Sequence, residues 1–109
     1  MFLAACDDYK IPVSPCDPGL EDVSFSSDLE PFFQSKCNAC HGGTYSPDLS
    51  KGWAYNGLMD GGDVDVDFPC ESNLYLVVSG QHGSHAAVDV SEEEKSMIRG
   101  WIQEGAQDN

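Results

Sequence analysis

The chain has 109 residues, 40% of them hydrophobic, and its 19 acidic and 5 basic side chains give a formal net charge of −14. This length suits one domain with a modest core. The shortage of basic residues excludes nucleic acid as a natural partner, because no basic patch exists to neutralise phosphates. The acidity either serves solubility alone or favours protein partners with a basic docking surface. No run of about 18 apolar residues is present, so no segment is predicted to span a membrane.

The first residues of the chain indicate an anchor and a tether. Leu3-Ala4-Ala5-Cys6 resembles the lipobox at which bacterial signal peptides are cleaved and the cysteine is acylated, although almost no charged or apolar region precedes it here. The alternative is a chance cysteine. The prolines at positions 12, 15 and 18 cannot sustain a helix. We therefore expect a remnant signal with an extended tether over residues 1–15, lipidation at Cys6, and a single domain over residues 16–109.

A first helix is predicted from about Ser27 into residues 37–41. Ser27 and Glu30 have the spacing of a capping box. Leu29, Phe32 and Phe33 follow at i, i+3 and i+4, the spacing of one apolar helix face. This face is expected to pack in the core.

The helix leads into Cys37-Asn38-Ala39-Cys40-His41, which has the form of the c-type haem attachment signature. Two thiols about one helical turn apart can bond the two vinyl groups on one edge of the porphyrin, and the adjacent imidazole then becomes the proximal iron ligand. Two other kinds of site share the Cys-x-x-Cys part of the pattern. A thioredoxin-like redox site would need a βαβ context, and a zinc site would need a second ligand pair. Neither is evident, so the motif predicts one covalent haem.

The segment after His41 supplies candidate supporting residues. A ligating histidine needs an acceptor for its other ring nitrogen, and the carbonyl of Pro47 in the following loop is the candidate. Residues 53–59 are predicted as a short helix ended by Asp60-Gly61-Gly62. Its aromatic side chains, Trp53 and Tyr55, are candidate haem contacts.

The second half of the chain predicts two further helices and a histidine-bearing loop. Residues 72–80 form either a short capped helix closed by Gly80 or a buried strand, and a helix is preferred because no partner strand is evident. Residues 80–90 then form a loop that contains His82 and His85. The last helix begins after a Ser91–Glu94 capping box and ends at Gly105.

The five cysteines divide into three uses. Two belong to the haem motif and Cys6 to the lipobox, which leaves Cys16 and Cys70 as a natural pair. Haem of this type is attached outside the cytoplasm, where disulfides form. We therefore predict a Cys16–Cys70 disulfide.

Taken together, the chain resembles a small single-haem c-type cytochrome of the bacterial, extracytoplasmic lipoprotein kind. The shared features are Cys16-Asp17-Pro18, a helix of the form 28–33 leading into Cys-x-x-Cys-His, the loop at 47–49, Ser72-Asn73-Leu74-Tyr75, and the ending over residues 98–106. The resemblance implies an all-α cytochrome c fold: three to five short helices wrapped around one haem, with the N- and C-terminal helices packed together. It also implies electron transfer between extracytoplasmic redox partners, not enzymatic catalysis.

One departure from this family concerns the sixth iron ligand. Such domains commonly carry a Met-Pro pair shortly before the last helix as the distal ligand, and this sequence has none there. The loop at that place contains His85 and His82, so the resemblance implies bis-histidine ligation through His85, with His82 as the second choice. Two other functions remain open: a haem sensor or peroxidase-like enzyme with an exchangeable distal site, and a cytochrome module of a larger electron-transfer assembly.

Overall fold

The computed structural model describes residues 16–43, 46–83, 85–86 and 88–109. The predicted tether over residues 1–15, with its lipobox Cys6, lies outside this part of the chain. The described residues are helical and contain no strand, which agrees with the expected all-α class. Five α-helices are present: α1 (Glu30–Lys36), α2 (Asn38–His41), α3 (Ala54–Asp60), α4 (Asn73–Val78) and α5 (Glu92–Gln103). None of them is long and apolar enough to cross a membrane.

The first helical segment begins earlier than its sequence predicts. A π-helical turn, Phe25–Leu29, leads directly into α1. Ser24, not Ser27, is the N-cap: its hydroxyl accepts a hydrogen bond from the Ser27 amide, and the Asp28 carboxylate accepts one from the Ser24 amide. The predicted Ser27–Glu30 capping box is therefore wrong. Because the cap lies three residues upstream, Phe25 enters the helical segment and becomes part of the core.

The remaining helices follow the sequence patterns closely. Within the predicted segment 72–80 the helix is α4 (Asn73–Val78), with Ser72 as its N-cap and a left-handed glycine at position 80. The capping box before α5 is present, since the Ser91 hydroxyl and the Glu94 side chain each bond the other residue's amide. Gly105 has φ +104° just beyond the end of α5, a conformation that glycine adopts without steric cost.

An aromatic cluster forms the centre of the core. The Phe25 ring lies 5.3 Å from Trp101, 5.4 Å from Tyr55 and 5.9 Å from Phe33, measured between ring centroids. These contacts pack the π-helical turn against α5 and α3, with α1 continuing from the same turn. The polar ends of the cluster are satisfied, because the Tyr55 hydroxyl donates to the Ala106 carbonyl at 2.9 Å and the Trp101 indole donates to the Gln107 carbonyl at 2.9 Å.

An extended strap, residues 16–24, lies along α5. Its amide at Leu20 donates to the Ser96 carbonyl, and Gln103 bonds both the Asp17 carbonyl and the Gly19 amide. At Gly100 the strap approaches so closely that a Cβ would collide with the Leu20 backbone. A disulfide joins Cys16 at the start of the strap to Cys70, with Cα atoms 5.6 Å apart. This is the pairing that the cysteine count predicts.

Candidate functional site

A cavity of about 860 Å³ opens on the side of the molecule formed by α2, α4 and two loops. This volume lies in the upper part of the range for small-molecule and cofactor sites, about 300–1,000 Å³. Its walls are mainly apolar, and their aliphatic residues are Leu49, Leu58, Leu74, Val77, Val78 and Val88. The cavity therefore has the character of a site for a large apolar ligand.

The Cys-x-x-Cys-His motif lies at the edge of this cavity. Cys37 interrupts the helix between α1 and α2, and its carbonyl accepts hydrogen bonds from the amides of Cys40 and His41. The motif thus forms one tight turn. Both thiols are free, with Cys37 half-buried and Cys40 exposed, and both line the cavity together with His41.

The environment of Cys37 argues against thiol redox chemistry. Burial raises the pKa of the Cys37 thiol to about 11; the neighbouring Cys40 adds to this effect and Lys36 opposes it. Reactive thiols in Cys-x-x-Cys redox sites have a lowered pKa, because the thiolate is the nucleophile. Cys37 is instead protonated at neutral pH.

The imidazole of His41 is oriented by the loop that follows α2. Its Nδ1 lies 3.0 Å from the Pro47 carbonyl oxygen, the acceptor that the sequence suggests. A carbonyl oxygen only accepts, so Nδ1 is the donor and the neutral ring carries its lone pair on Nε2. The His41 carbonyl in turn accepts from the Leu49 amide at 2.7 Å. Two hydrogen bonds therefore fix both the ring and its backbone to this loop.

The shape of that loop depends on further contacts. The Asp48 carboxylate accepts from the amide and the hydroxyl of Ser50, and these bonds lower the pKa of Asp48. Gln34 donates to the Leu49 carbonyl at 3.1 Å. On the other side α3 passes so close that a Cβ at Gly57 would collide with the Asp48 carbonyl oxygen. The Pro47 carbonyl is thus held in place from three directions.

The two histidines of the loop before α5 both reach the cavity. His85 is exposed, its Nδ1 lies 2.6 Å from the Ala86 carbonyl, and the same argument as for His41 leaves its lone pair on Nε2. Its ring lies 6.0 Å from the His41 ring between centroids, with the planes only 10° apart. His82 is half-buried and lies 6.3 Å from His85 at 77°. The structure therefore brings His41 and His85 together, with His82 beside them.

Two predicted haem contacts lie elsewhere. Trp53 is the N-cap of α3 and is 61% exposed, and it is not part of the cavity wall. Tyr55 faces the aromatic cluster and its hydroxyl bonds Ala106. The reason is the orientation of α3, which turns Leu58 to the cavity and its aromatic residues away from it.

Sequence reasoning missed one wall of the cavity and, among its polar lining residues, Lys36. The wall is α4, where Leu74, Val77 and Val78 face the cavity. Their i, i+3, i+4 spacing is compatible with a helix face, but in so short a run it neither excludes a strand nor shows what the face covers. Lys36 lines the cavity beside Cys37, and no sequence signal existed for it.

Other metal sites find no support among the described residues. No group of three or more His, Cys, Asp or Glu side chains is arranged there to bind a metal ion. Cys16 and Cys70, the other two described cysteines, are bonded to each other and cannot supply the second ligand pair that a zinc site would need. Comparisons with protein-family models, with curated proteins and with solved structures give no match for this chain.

Proposed function

We propose that this protein carries single electrons by means of one covalently attached c-type haem. In this proposal Cys37 and Cys40 tether the haem, His41 is the proximal ligand and His85 the distal ligand. The observation that carries it is the pair of parallel imidazoles beside two free thiols in an apolar cavity.

The separation of the two rings supports shared ligation of one iron. If the Nε2 edges of both rings bound one iron, two metal–nitrogen bonds of about 2 Å and about 1 Å from each nitrogen to its ring centre would place the ring centres roughly 6 Å apart. The centroids of His41 and His85 are 6.0 Å apart. Each ring has Nδ1 directed at a backbone carbonyl, which leaves Nε2 as the ligating atom in both.

The lining of the cavity fits the same group. Thioether formation needs two reduced thiols at the edge of the pocket, and Cys37 and Cys40 are free. A large flat apolar macrocycle needs aliphatic walls, which α4 and Leu58 supply. A haem bound there would supply an iron able to change its oxidation state by one electron.

The chain's own residues set how readily that electron is gained. The Pro47 carbonyl accepts a hydrogen bond from His41 Nδ1, which raises the basicity of the His41 imidazole. A second imidazole in place of a methionine thioether favours the ferric state, so we expect a lower potential than in a His/Met haem. Because His41 and His85 would both be engaged as ligands when the haem is bound, the proposal is an electron carrier and not an enzyme.

The partners and location follow as part of the proposal. With a net charge of −14, the surface favours redox partners with a basic docking surface. The cations Lys36 and Lys95 each lie beside a glutamate and so add little positive potential. The Cys16–Cys70 disulfide favours an extracytoplasmic compartment, and Cys6 is the proposed lipid anchor there. Whether the domain works alone or as a module of an assembly would be decided by the mass of the native material.

A haem sensor or peroxidase-like enzyme is the second candidate, and the exposure of His85 is the observation that favours it. The test is the visible and EPR spectrum of the haem-loaded protein, with carbon monoxide added to the reduced form. Low-spin spectra without a shift on adding carbon monoxide support the electron carrier; a high-spin spectrum with rapid binding supports the second candidate.

Two variants identify the ligand. We expect His85→Ala to become high-spin and to bind carbon monoxide, whereas His82→Ala stays low-spin. The opposite result would show that His82 is the ligand. The ferric charge-transfer band typical of methionine ligation would contradict bis-histidine ligation altogether.

A further inference from the structure

The side chain of Lys36 connects the end of α1 to the loop that carries His85. Its ammonium group donates a 2.7 Å hydrogen bond to the backbone carbonyl of Asp89, 53 residues further along the chain. Lys36 immediately precedes Cys37 and lines the cavity. One side chain therefore links the segment at the attachment motif to the loop that carries His85.

We infer that Lys36 is a positioning residue for His85: its bond to Asp89 holds the loop over residues 82–90 in the place where the histidine faces His41. This inference rests on the proposed function, since it treats His85 as the distal ligand. According to this inference, replacing Lys36 would make the distal ligand exchangeable even though both His41 and His85 are retained.

Among the described residues of this loop, the other hydrogen bonds to the rest of the chain lie at its two ends. At its start, the amides of Gln81 and His82 donate to the Leu76 carbonyl, and at its end the Ser91 cap begins α5. Between them the His85 amide donates to the His82 carbonyl at 3.3 Å, a long bond. The middle of the loop is largely exposed. A hydrogen bond from a cation is roughly twice as strong as one between neutral groups, so the bond to Asp89 is a main restraint on this middle part.

The nearby ion pair contributes less than the hydrogen bond. The Lys36 nitrogen lies 3.8 Å from Oε1 of Glu94, beyond hydrogen-bond distance, and that oxygen already accepts from the Ser91 amide at 2.9 Å. Both side chains are about a third exposed, so water screens the pair. The contact that positions the loop is therefore the one to Asp89.

The first test measures how fast carbon monoxide binds to the reduced, haem-loaded protein. Removing the restraint raises the population in which His85 has left the iron, and an entering ligand captures that population. We expect Lys36→Met to bind carbon monoxide about tenfold faster than wild type, equivalent to about 1.4 kcal/mol. We expect Lys36→Arg, which keeps the cation and its donors, to stay within about twofold of wild type.

Two control variants separate this tether from charge alone. Lys95→Met removes the same charge from a lysine whose 2.9 Å ion pair with Glu92 lies within α5, and it should bind carbon monoxide as wild type does. Glu94→Gln removes the charge partner of Lys36 but leaves the bond to Asp89, and it should also behave as wild type. If Lys36→Met matches Lys95→Met, or if Glu94→Gln accelerates binding as much as Lys36→Met, the inference is overturned.

A second readout does not depend on an axial ligand. Amide hydrogen exchange over residues 85–90 should be faster in Lys36→Met than in wild type and in Lys95→Met. If the methionine variant incorporates haem poorly, Lys36→Gln takes its place. Unchanged exchange refutes the tether even if carbon monoxide binding changes. The two possible failures can be told apart. If the wild-type protein is already high-spin but exchange is faster in the Lys36 variant, Lys36 does hold the loop and His85 is not the ligand.

Discussion

Replacing Gly57 by alanine tests the geometry that orients His41. Gly57 lies in the middle of α3, where alanine is the better helix former by about 1 kcal/mol. Helix propensity alone therefore predicts a more stable protein. The tertiary structure predicts the opposite, because the new Cβ would collide with the Asp48 carbonyl oxygen and lie 3.0 Å from the Asp48 amide nitrogen.

The size of the effect follows from these contacts. To restore a separation of about 3.5 Å, the loop must move by roughly 1 Å, and overpacking of this kind costs typically 1–3 kcal/mol. Subtracting the propensity gain of about 1 kcal/mol leaves a net loss of about 1 kcal/mol, or roughly 4–8 °C in Tm for a domain of this size. The same movement lengthens the 3.0 Å contact between Pro47 and His41 beyond hydrogen-bond distance.

The assay is urea unfolding followed by circular dichroism, with Asn56→Ala as the matched control. Asn56 is exposed on the same helix, so its replacement gains propensity without a collision and should stabilise the protein slightly. In the haem-loaded protein, NMR of the His41 ring should also show loss of the Nδ1 hydrogen bond in Gly57→Ala only. If Gly57→Ala stabilises the protein as much as Asn56→Ala does, α3 does not press on this loop and the argument is wrong.

Three further predictions concern the bridge, the thiols and the core. Removing the bridge by Cys16→Ser should lower the free energy of unfolding by up to about 4 kcal/mol for a loop of 54 residues, and an unchanged urea midpoint would contradict this. In protein made without haem, iodoacetamide should modify the exposed Cys40 faster than Cys37, whose rate should rise with pH toward its pKa of about 11. Equal alkylation rates of the two thiols at neutral pH would refute the burial of Cys37. Because the pKa of Cys37 is raised above its usual 9.0, its contribution to the free energy of unfolding should be present below pH 9 and lost as the pH rises from 9 to 11. Tyr55→Phe should lower the free energy of unfolding by about 1 kcal/mol, because the hydrogen bond to Ala106 is lost, and should leave the haem spectrum unchanged. A spectral shift would show that Tyr55 contacts the haem.

Features set by neighbouring residues could be predicted from the sequence. The Ser91 cap, the position of Gly105 and the single turn of the Cys-x-x-Cys-His motif depend on contacts three or four residues apart, and the structure has all three. The first cap was the exception. Ser24 and Ser27 both offer a hydroxyl at the right place, and the choice of Ser24 lets Phe25 enter the aromatic cluster, a gain that local spacing does not reveal.

What only the tertiary structure decided is which surfaces face the cavity. The sequence predicted a short helix at α4 and aromatic residues on α3, but the direction of each helix depends on packing against residues far away in the chain. That packing turns Val78 toward the cavity and Tyr55 toward the core. It also brings His85 within 6.0 Å of His41, 44 positions away, because α2 and the loop before α5, which share no local pattern, both line one cavity. The sequence by itself thus determined the helices and the thiol spacing, and long-range packing determined the site.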